Sequence, residues 1–588
     1  MRRLWSVMVA LIVLTGCASL PESGGVFPVD KQGGVEEDTI ALFTPPGPAR
    51  DASPEEIVNG FLVAMQANPS STSTARRFLA RVARLNWKPD QATMLYQAKG
   101  VDALASSVNV RLVNASLLDS RGGWVGPVTD GTNVFSLALK RERNQWRITN
   151  PPNALLLPLS DFTARYEPYN LYFLDPSAHM LVPDRVYVPR GSDAPSSLVR
   201  SLLGGPSPRL IGVAHSEFEP QTTLGLSVLV GSNGTAQVPL SANVRKLSPQ
   251  ALSRGVAQLA WTLRQIPGIT RMSVSVDDET LPLPTGAREI SLTQPGRFSP
   301  LVPGSNEFFG LRQGRLVSMA DQLITPDSGP FGKSGFSISS IGLSIDGSQV
   351  AAVGSNGRQV LVGPRGRGKS SEVRRVYTGT KVLKPIIDRH GFTWLIDRTP
   401  AGARLVLVDA RGAVATSSVQ SAPGITGTDV SQCAMSPDGS LLACAVNRSK
   451  RSQLPRVAVS EVFRGADGSV TRVGVARVYP GPVSELRSLT GIAFTSPNDL
   501  AVMGLTETGD TRVVLTPSDG SPGSASQVQP DQVMGRALAL AVSASSVPGA
   551  PAVVRLLTRT RATLELTPSG RWIDTGLEAK FSTLSFVG

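Results

Sequence analysis

Cysteine and histidine are almost absent from this chain, with three of each in 588 residues. No Cys/His spacing of the kind that holds zinc occurs, so a finger or ribbon metal site is excluded as an organising element. A Ser–His hydrolase is poorly served as well. His179 and His215 lie in the second folded segment, and His390 is the sole histidine beyond it. Aromatics are 5% of the chain and are not interleaved with basic clusters, which argues against nucleic-acid modules. After the N-terminus, no stretch approaches eighteen uninterrupted apolar residues, so no later transmembrane helix is expected and the rest reads as soluble.

The N-terminus itself is informative. Arg2 and Arg3 precede the thirteen-residue apolar run Leu4–Gly16, too short to span a bilayer and flanked like a signal peptide over residues 1–16. It ends in Leu14-Thr15-Gly16-Cys17, which resembles a bacterial lipobox, and this implies that Cys17 is lipidated. Two acyl chains would tether the mature chain stably to the extracytoplasmic face of the cell membrane. The formal net charge is +13, and loss of Arg2 and Arg3 leaves +11. Outside the cytoplasm, the acidic partners open to it are anionic headgroups and cell-wall polymers, with no nucleic acid.

Two motifs need weighing against this compartment. Gly363–Ser370, "GPRGRGKS", fits the phosphate-binding pattern G-x-x-x-x-G-K-[ST]. A phosphate cradle needs a helix immediately after it, whereas "SEVRRVYTG" has β character, so no nucleotide and no other cofactor is expected. Cys433 and Cys444 are symmetric about Asp438–Gly439, so a hairpin would set them opposite each other. They form either a disulfide or, the preferred reading, two small buried thiols. Asp346, Asp388, Asp438 and Asp519 fall in turns, where a carboxylate accepts backbone N–H bonds, so they are read as turn residues and not as metal ligands.

Residues 17–52, rich in Pro, Gly and acidic groups, read as a flexible tether. An α+β domain is expected over 53–152. It opens with a capping box at Ser53–Glu56, continues with a second helical run "ARRFLARVARL", and turns to period-two strands up to Pro151–Pro152. This layout resembles nuclear-transport-factor-like domains, with Trp87 and Trp146 in the core. A second α+β domain over 165–290 carries "LYFLD", "LVPDRVYVP", "LVRSLLGGP", a helix capped by Ser248 and "MSVSVDD". These landmarks resemble the GerMN domain of exported bacterial proteins, a binding module. Residues 306–588 repeat a β-run, a polar turn and a second β-run at propeller spacing, with "SPDG" turns, giving five or six blades; "FFGLRQGRLVSMA" could close the ring.

Three such parts behind a lipobox resemble the LpqB family of actinobacterial lipoproteins. The resemblance implies a non-catalytic accessory that binds the extracytoplasmic domain of an MtrB-type sensor histidine kinase. That two-component system is linked to cell-wall homeostasis and division. The competing expectation is a propeller-based glycan-binding protein or hydrolase. "SIDGSQVA" and "SPDGSLLA" lack the tryptophan of sialidase boxes, and no nucleophile elbow is present; a carboxylate cluster at the propeller mouth would favour the enzyme.

Overall fold

The computed structural model describes residues 43–586 apart from 69, 105, 129–132, 284–285, 294–297, 301–306, 321–322, 334, 367–371, 412–414, 448–453, 480, 524–526, 544–549 and 578–580. Cys17, the apolar leader and most of the expected tether therefore lie outside the described residues. Residues 43–588 form one compact unit.

The first domain opens as its capping residues dictate. Ser53 accepts from the Glu56 N–H while Glu56 accepts from the Ser53 N–H, and Pro54 begins a helix that runs to Ala64. Ile57, Val58, Phe61 and Leu62 are buried against a sheet of Ala98–Ala103, Ser107–Val113, Val134–Glu142 and Gln145–Ile148. Trp87 is core as expected: it stacks near Phe61, and its indole donates to the Pro152 carbonyl at 2.7 Å. Trp146 is only partly buried against the same core.

Three expectations for this domain need correcting. The second helical run is two short helices, Ser73–Arg76 and Arg81–Asn86. Between them the backbone joins the sheet edge: Ile148 N–H donates to Phe78 and Ala80 N–H donates to Ile148, which helical geometry would forbid. The domain also outlasts the Pro151–Pro152 pair, because Leu155–Pro158 pairs in parallel with Thr93–Tyr96. Nor does the tether reach residue 52. Phe43 exchanges backbone bonds with Asn68, and Asp51 pairs with the Gln145 side chain.

The second domain is built on a long antiparallel hairpin, Tyr166–Leu174 with Leu181–Pro189. Behind it lie helices Ala194–Leu203 and Pro249–Leu263, and a sheet centred on Thr235–Pro239 and Arg271–Val276. Ser248 caps the longer helix by accepting from the Ala251 N–H. Its Val256, Leu259 and Leu263 are buried, and Leu252 and Ile266 pack partly buried beside them.

From Phe308 onward the described residues form six sheets arranged as propeller blades. Separate apolar cores sit between successive blades; one joins Phe392–Leu407 to Cys433–Val446, for instance. The ring closes where Leu584–Ser585 adds as the inner strand beside Phe309–Gly310. "FFGLRQGRLVSMA" thus supplies the outer strands of a blade completed by the last described strand. In the fourth blade Cys433 and Cys444 stand directly opposite and are joined as a disulfide. This overturns the preference for free thiols. The physical reason is their closeness: the two Cα atoms are 4.1 Å apart, as in the close, non-hydrogen-bonded kind of antiparallel pair.

Candidate functional site

Two places concentrate buried polar chemistry: the joint at the second-domain hairpin and the central channel of the propeller. The hairpin strand Leu181–Pro189 reads "LVPDRVYVP", and eight of its nine residues are buried despite the charges of Asp184 and Arg185. It is wedged between the other two domains, and each charge faces one of them.

Toward the first domain, Asp184 accepts from Arg121 at 3.1 Å and from the Ser207 N–H at 2.7 Å. Arg121 also reaches Asp119 and the Gly205 carbonyl, both at 2.9 Å. Burial works against the Arg121 charge, but Asp184 and Asp119 outweigh it and raise its pKa. The backbones meet here too, because Tyr187 N–H donates to the Gly122 carbonyl at 2.8 Å. Gly122 has φ +84°, and a Cβ there would stand 2.4 Å from the Tyr187 oxygen, so this approach requires glycine.

Toward the propeller, Arg185 donates to Asp499 at 2.7 Å, Asn498 donates to Asn170 at 2.8 Å, and the Tyr187 hydroxyl bonds Ser521. Burial alone would lift the Asp499 pKa; the adjacent Arg185 guanidinium overrides it and holds the carboxyl below its ordinary value. Beside these bonds, Met180 and Val182 line a small cavity together with Gly439, Val462 and His390. Burial, then the Arg464 charge, pushes His390 down to about 4, so its imidazole is neutral at physiological pH. The other two histidines do not join it: His179 uses its backbone N–H to bond Asp175, and His215 lies 3.6 Å from Glu217.

The central channel, about 90 Å³, is lined by one inner strand from every blade, including Ile386, Gln432, Met435, Phe494, Leu540 and Phe586. Among the described residues its lining holds one carboxylate, Asp388, which is committed elsewhere. Asp388 accepts from the backbones of His390 and Phe392, from the Trp394 indole at 2.8 Å and from Arg464 at 2.6 Å. Lys384 also lines the channel, and burial pushes its amine down to about 8. A lone carboxylate already bonded on both oxygens offers neither the acid nor the base of a glycosidase pair.

The remaining turn aspartates behave as turn chemistry requires. Asp346 accepts from Ser344 and Ser348, Asp438 from Ser436 and Ser440, and Asp519 from the Ser521 N–H. No group of three or more His, Cys, Asp or Glu suited to a metal ion occurs among the described residues. The phosphate-loop mimic joins two antiparallel strands of the second blade, Gln359–Pro364 and Arg374–Thr378. Residues 367–371, with Lys369, lie outside the described set. Among the described residues, the next regular element after the loop is the strand Arg374–Thr378, where a nucleotide site would continue as a helix.

Sequence reading missed the joint entirely. Its only signal was the charged pair Asp184–Arg185 inside an otherwise apolar strand, a pattern that needs partners on both faces.

Together these features define a class: a multidomain propeller protein whose modules are locked into one unit by a doubly buried hairpin. Comparison with known proteins narrows it. Residues 47–163 match a family model described as the N-terminal domain of lipoprotein LpqB, residues 170–282 one described as sporulation and spore germination, and residues 314–559 one described as the LpqB beta-propeller domain. "Lipoprotein LpqB" of Streptomyces coelicolor is 27% identical over 564 residues, covering 88% of each chain. The Cutibacterium acnes protein of the same name is 26% identical, covering 84% of this chain and 85% of its own. The chain belongs to the LpqB family of lipoproteins. Among solved structures, the first GerMN domain of GerM from Bacillus subtilis aligns with 21% of this chain and 94% of its own, at 21% identity and a TM-score of 0.18, too slight a likeness to argue from.

Proposed function

We propose that this protein is a lipid-anchored extracytoplasmic scaffold that binds the ectodomain of an MtrB-type sensor histidine kinase and so tunes signalling in cell-wall homeostasis and division. Cys17 carries the lipid after removal of the signal peptide, and the folded unit acts outside the membrane. The observation that carries the reading is the joint: three modules share buried hydrogen bonds and ion pairs, so a partner meets one rigid surface instead of three independent ones. Membership of a lipoprotein family supports the anchor, and the committed state of Asp388 supports a binding role for the propeller over hydrolysis.

The test is binding of the mature, unacylated chain to the purified kinase ectodomain, beside a turnover screen on wall glycans and peptides. Saturable binding that weakens when the propeller is deleted is expected. Hydrolysis of a wall fragment without ectodomain binding would establish the propeller-based hydrolase in its place. Replacing Cys17 by Ala should release the protein from membranes without changing its melting temperature.

A further inference from the structure

The short helix Arg81–Asn86 stands on the surface of the first domain with its polarity inverted. At 100° per residue, Ala83 faces the core and is buried, while Leu85 points almost directly away from it and is 77% exposed. Val82, on the flank, is 64% exposed. Arg84 and Arg81 lie on the same outer arc, both on the Leu85 side of the pair, with Arg81 next to Leu85. Two large aliphatics at the crest of a basic helix are unfavourable in water and gain nothing from the fold.

The surrounding charge is predominantly basic, with Glu142 set among the cations and Asp51 and Asp90 at its margin. Burial, then the Arg84 charge, lowers the Arg147 pKa; Glu142 opposes the shift and Arg77 adds to it, so three arginines share this ground with one carboxylate. Lys140 and Glu142 pair at 3.0 Å, and Glu142 also accepts from the Arg81 N–H. Exposed Arg143 and Lys88 extend the basic surface. At its margin, Asp51 is occupied by Gln145. The chain enters the domain over the same ground. Phe43 pairs with Asn68, Gly47 packs against Arg77 so closely that a Cβ would stand 2.5 Å from its Cζ, and Asp51 bonds Gln145 next to Trp146. The segment arriving from Cys17 therefore reaches the folded unit beside the basic patch.

We propose that the Arg81–Asn86 helix is a membrane-docking surface, with Val82 and Leu85 inserted at the headgroup boundary and Arg77, Arg81, Arg84 and Arg147 on anionic phospholipid. The geometry is that of a small interfacial anchor, apolar at the crest and basic beside it. Joined to the covalent lipid, it orients the unit with its first domain against the bilayer and the propeller carried outward through the rigid joint.

The experiment uses the full mature chain with Cys17→Ser, so that no acyl chain contributes, and co-sediments it with vesicles of phosphatidylglycerol and phosphatidylcholine. Binding to the anionic vesicles alone, falling as salt rises, is expected. Arg81→Glu with Arg84→Glu should lower partitioning by at least about tenfold, given the surface attraction carried by each basic residue. Val82→Ser with Leu85→Ser should lower it severalfold, and Arg271→Glu with Arg487→Glu, on the other two domains, should leave it unchanged. Melting temperatures near wild type would show that the variants fold. Equal binding to neutral vesicles overturns the proposal. So does a patch whose charge reversals abolish binding while the Val82 and Leu85 changes do nothing, because that behaviour belongs to a soluble polyanion such as a wall polymer. Neither result depends on kinase binding or on acylation, so failure here is separable from failure of the scaffold reading.

Discussion

Replacing Arg185 by Ala tests whether the joint is energetically real. Arg185 is buried and its guanidinium donates to Asp499 at 2.7 Å, while the Asp499 side chain keeps 27% exposure. Removing one partner of a fully buried pair costs about 3–5 kcal/mol; the partial exposure of Asp499 reduces this to roughly 2–3 kcal/mol. For domains of this size, that lowers the transition in which the propeller separates from the hairpin by roughly 4–10 °C. Ser496 would remain as a hydrogen-bond donor to Asp499 but would leave its charge uncompensated. The pH dependence has a definite sign. In the wild type the Asp499 pKa lies below its ordinary value, so its stabilisation is present above about pH 4 and disappears as pH falls through the depressed value. In Arg185→Ala, burial, the largest influence on Asp499, is opposed only by the Ser496 hydrogen bond and lifts the pKa, so the penalty is greatest near neutrality and is relieved on acidification. The gap in Tm between the two proteins should therefore narrow from pH 7 toward pH 4. Differential scanning calorimetry on Arg185→Ala, Asp499→Ala and the double variant gives the coupling, expected at about 2 kcal/mol. Strict additivity of the single changes, or a gap that widens in acid, would refute the argument.

Three further outcomes follow from the geometry. Cys433→Ser with Cys444→Ser removes a bridge of sequence separation 11 and should destabilise the propeller by about 3 kcal/mol, matched by reductant on the wild type; two thiols titrating in the unreduced, denatured protein would contradict the disulfide. Gly122→Ala forces a Cβ to 2.4 Å from the Tyr187 carbonyl and should cost well over about 1 kcal/mol, read as faster proteolysis between the first two domains. Gly126→Ala, with φ +129° but open space around it, should do less, and equal effects would show that the close approach is unimportant. ATP should not raise the Tm, and Lys369→Ala should leave Tm and binding unchanged; a nucleotide-dependent shift lost in that variant would reinstate the phosphate loop.

Local signals in the sequence carried much of the fold. The Ser53–Glu56 box, the Ser248 cap and the stripe Val256–Leu259–Leu263 each act within a few residues, so the chain states them directly. The propeller was legible because its blades repeat the same pattern, although the ring closure at Leu584–Ser585 could only be guessed. What failed had causes distant in sequence. "ARRFLARVARL" reads as one helix until Ile148 draws Phe78–Ala80 to the sheet edge. Likewise, nothing near Arg185 announces Asp499, a partner more than three hundred residues away. The separation of the cysteine Cα atoms depended on which kind of opposed pair the register produced, and alternation alone does not specify that. The joint, which carries the functional reading, was thus the least legible part of the molecule.

The strand that completes the first blade has an implication for how the protein is made. Leu584–Ser585 pairs with Phe309–Gly310, so nearly the whole propeller must be synthesised and exported before its ring can shut. Until then the first blade lacks its inner strand, and the neighbouring sheets hold their apolar faces open. Contacts between such distant segments form late and leave aggregation-prone edges exposed meanwhile. A chain emerging N-terminus first would have its first two domains assembled while the propeller was still an open arc. Secretion chaperones and extracytoplasmic proteases would meet that arc, and even a small truncation reaching Leu584 would make the arc permanent.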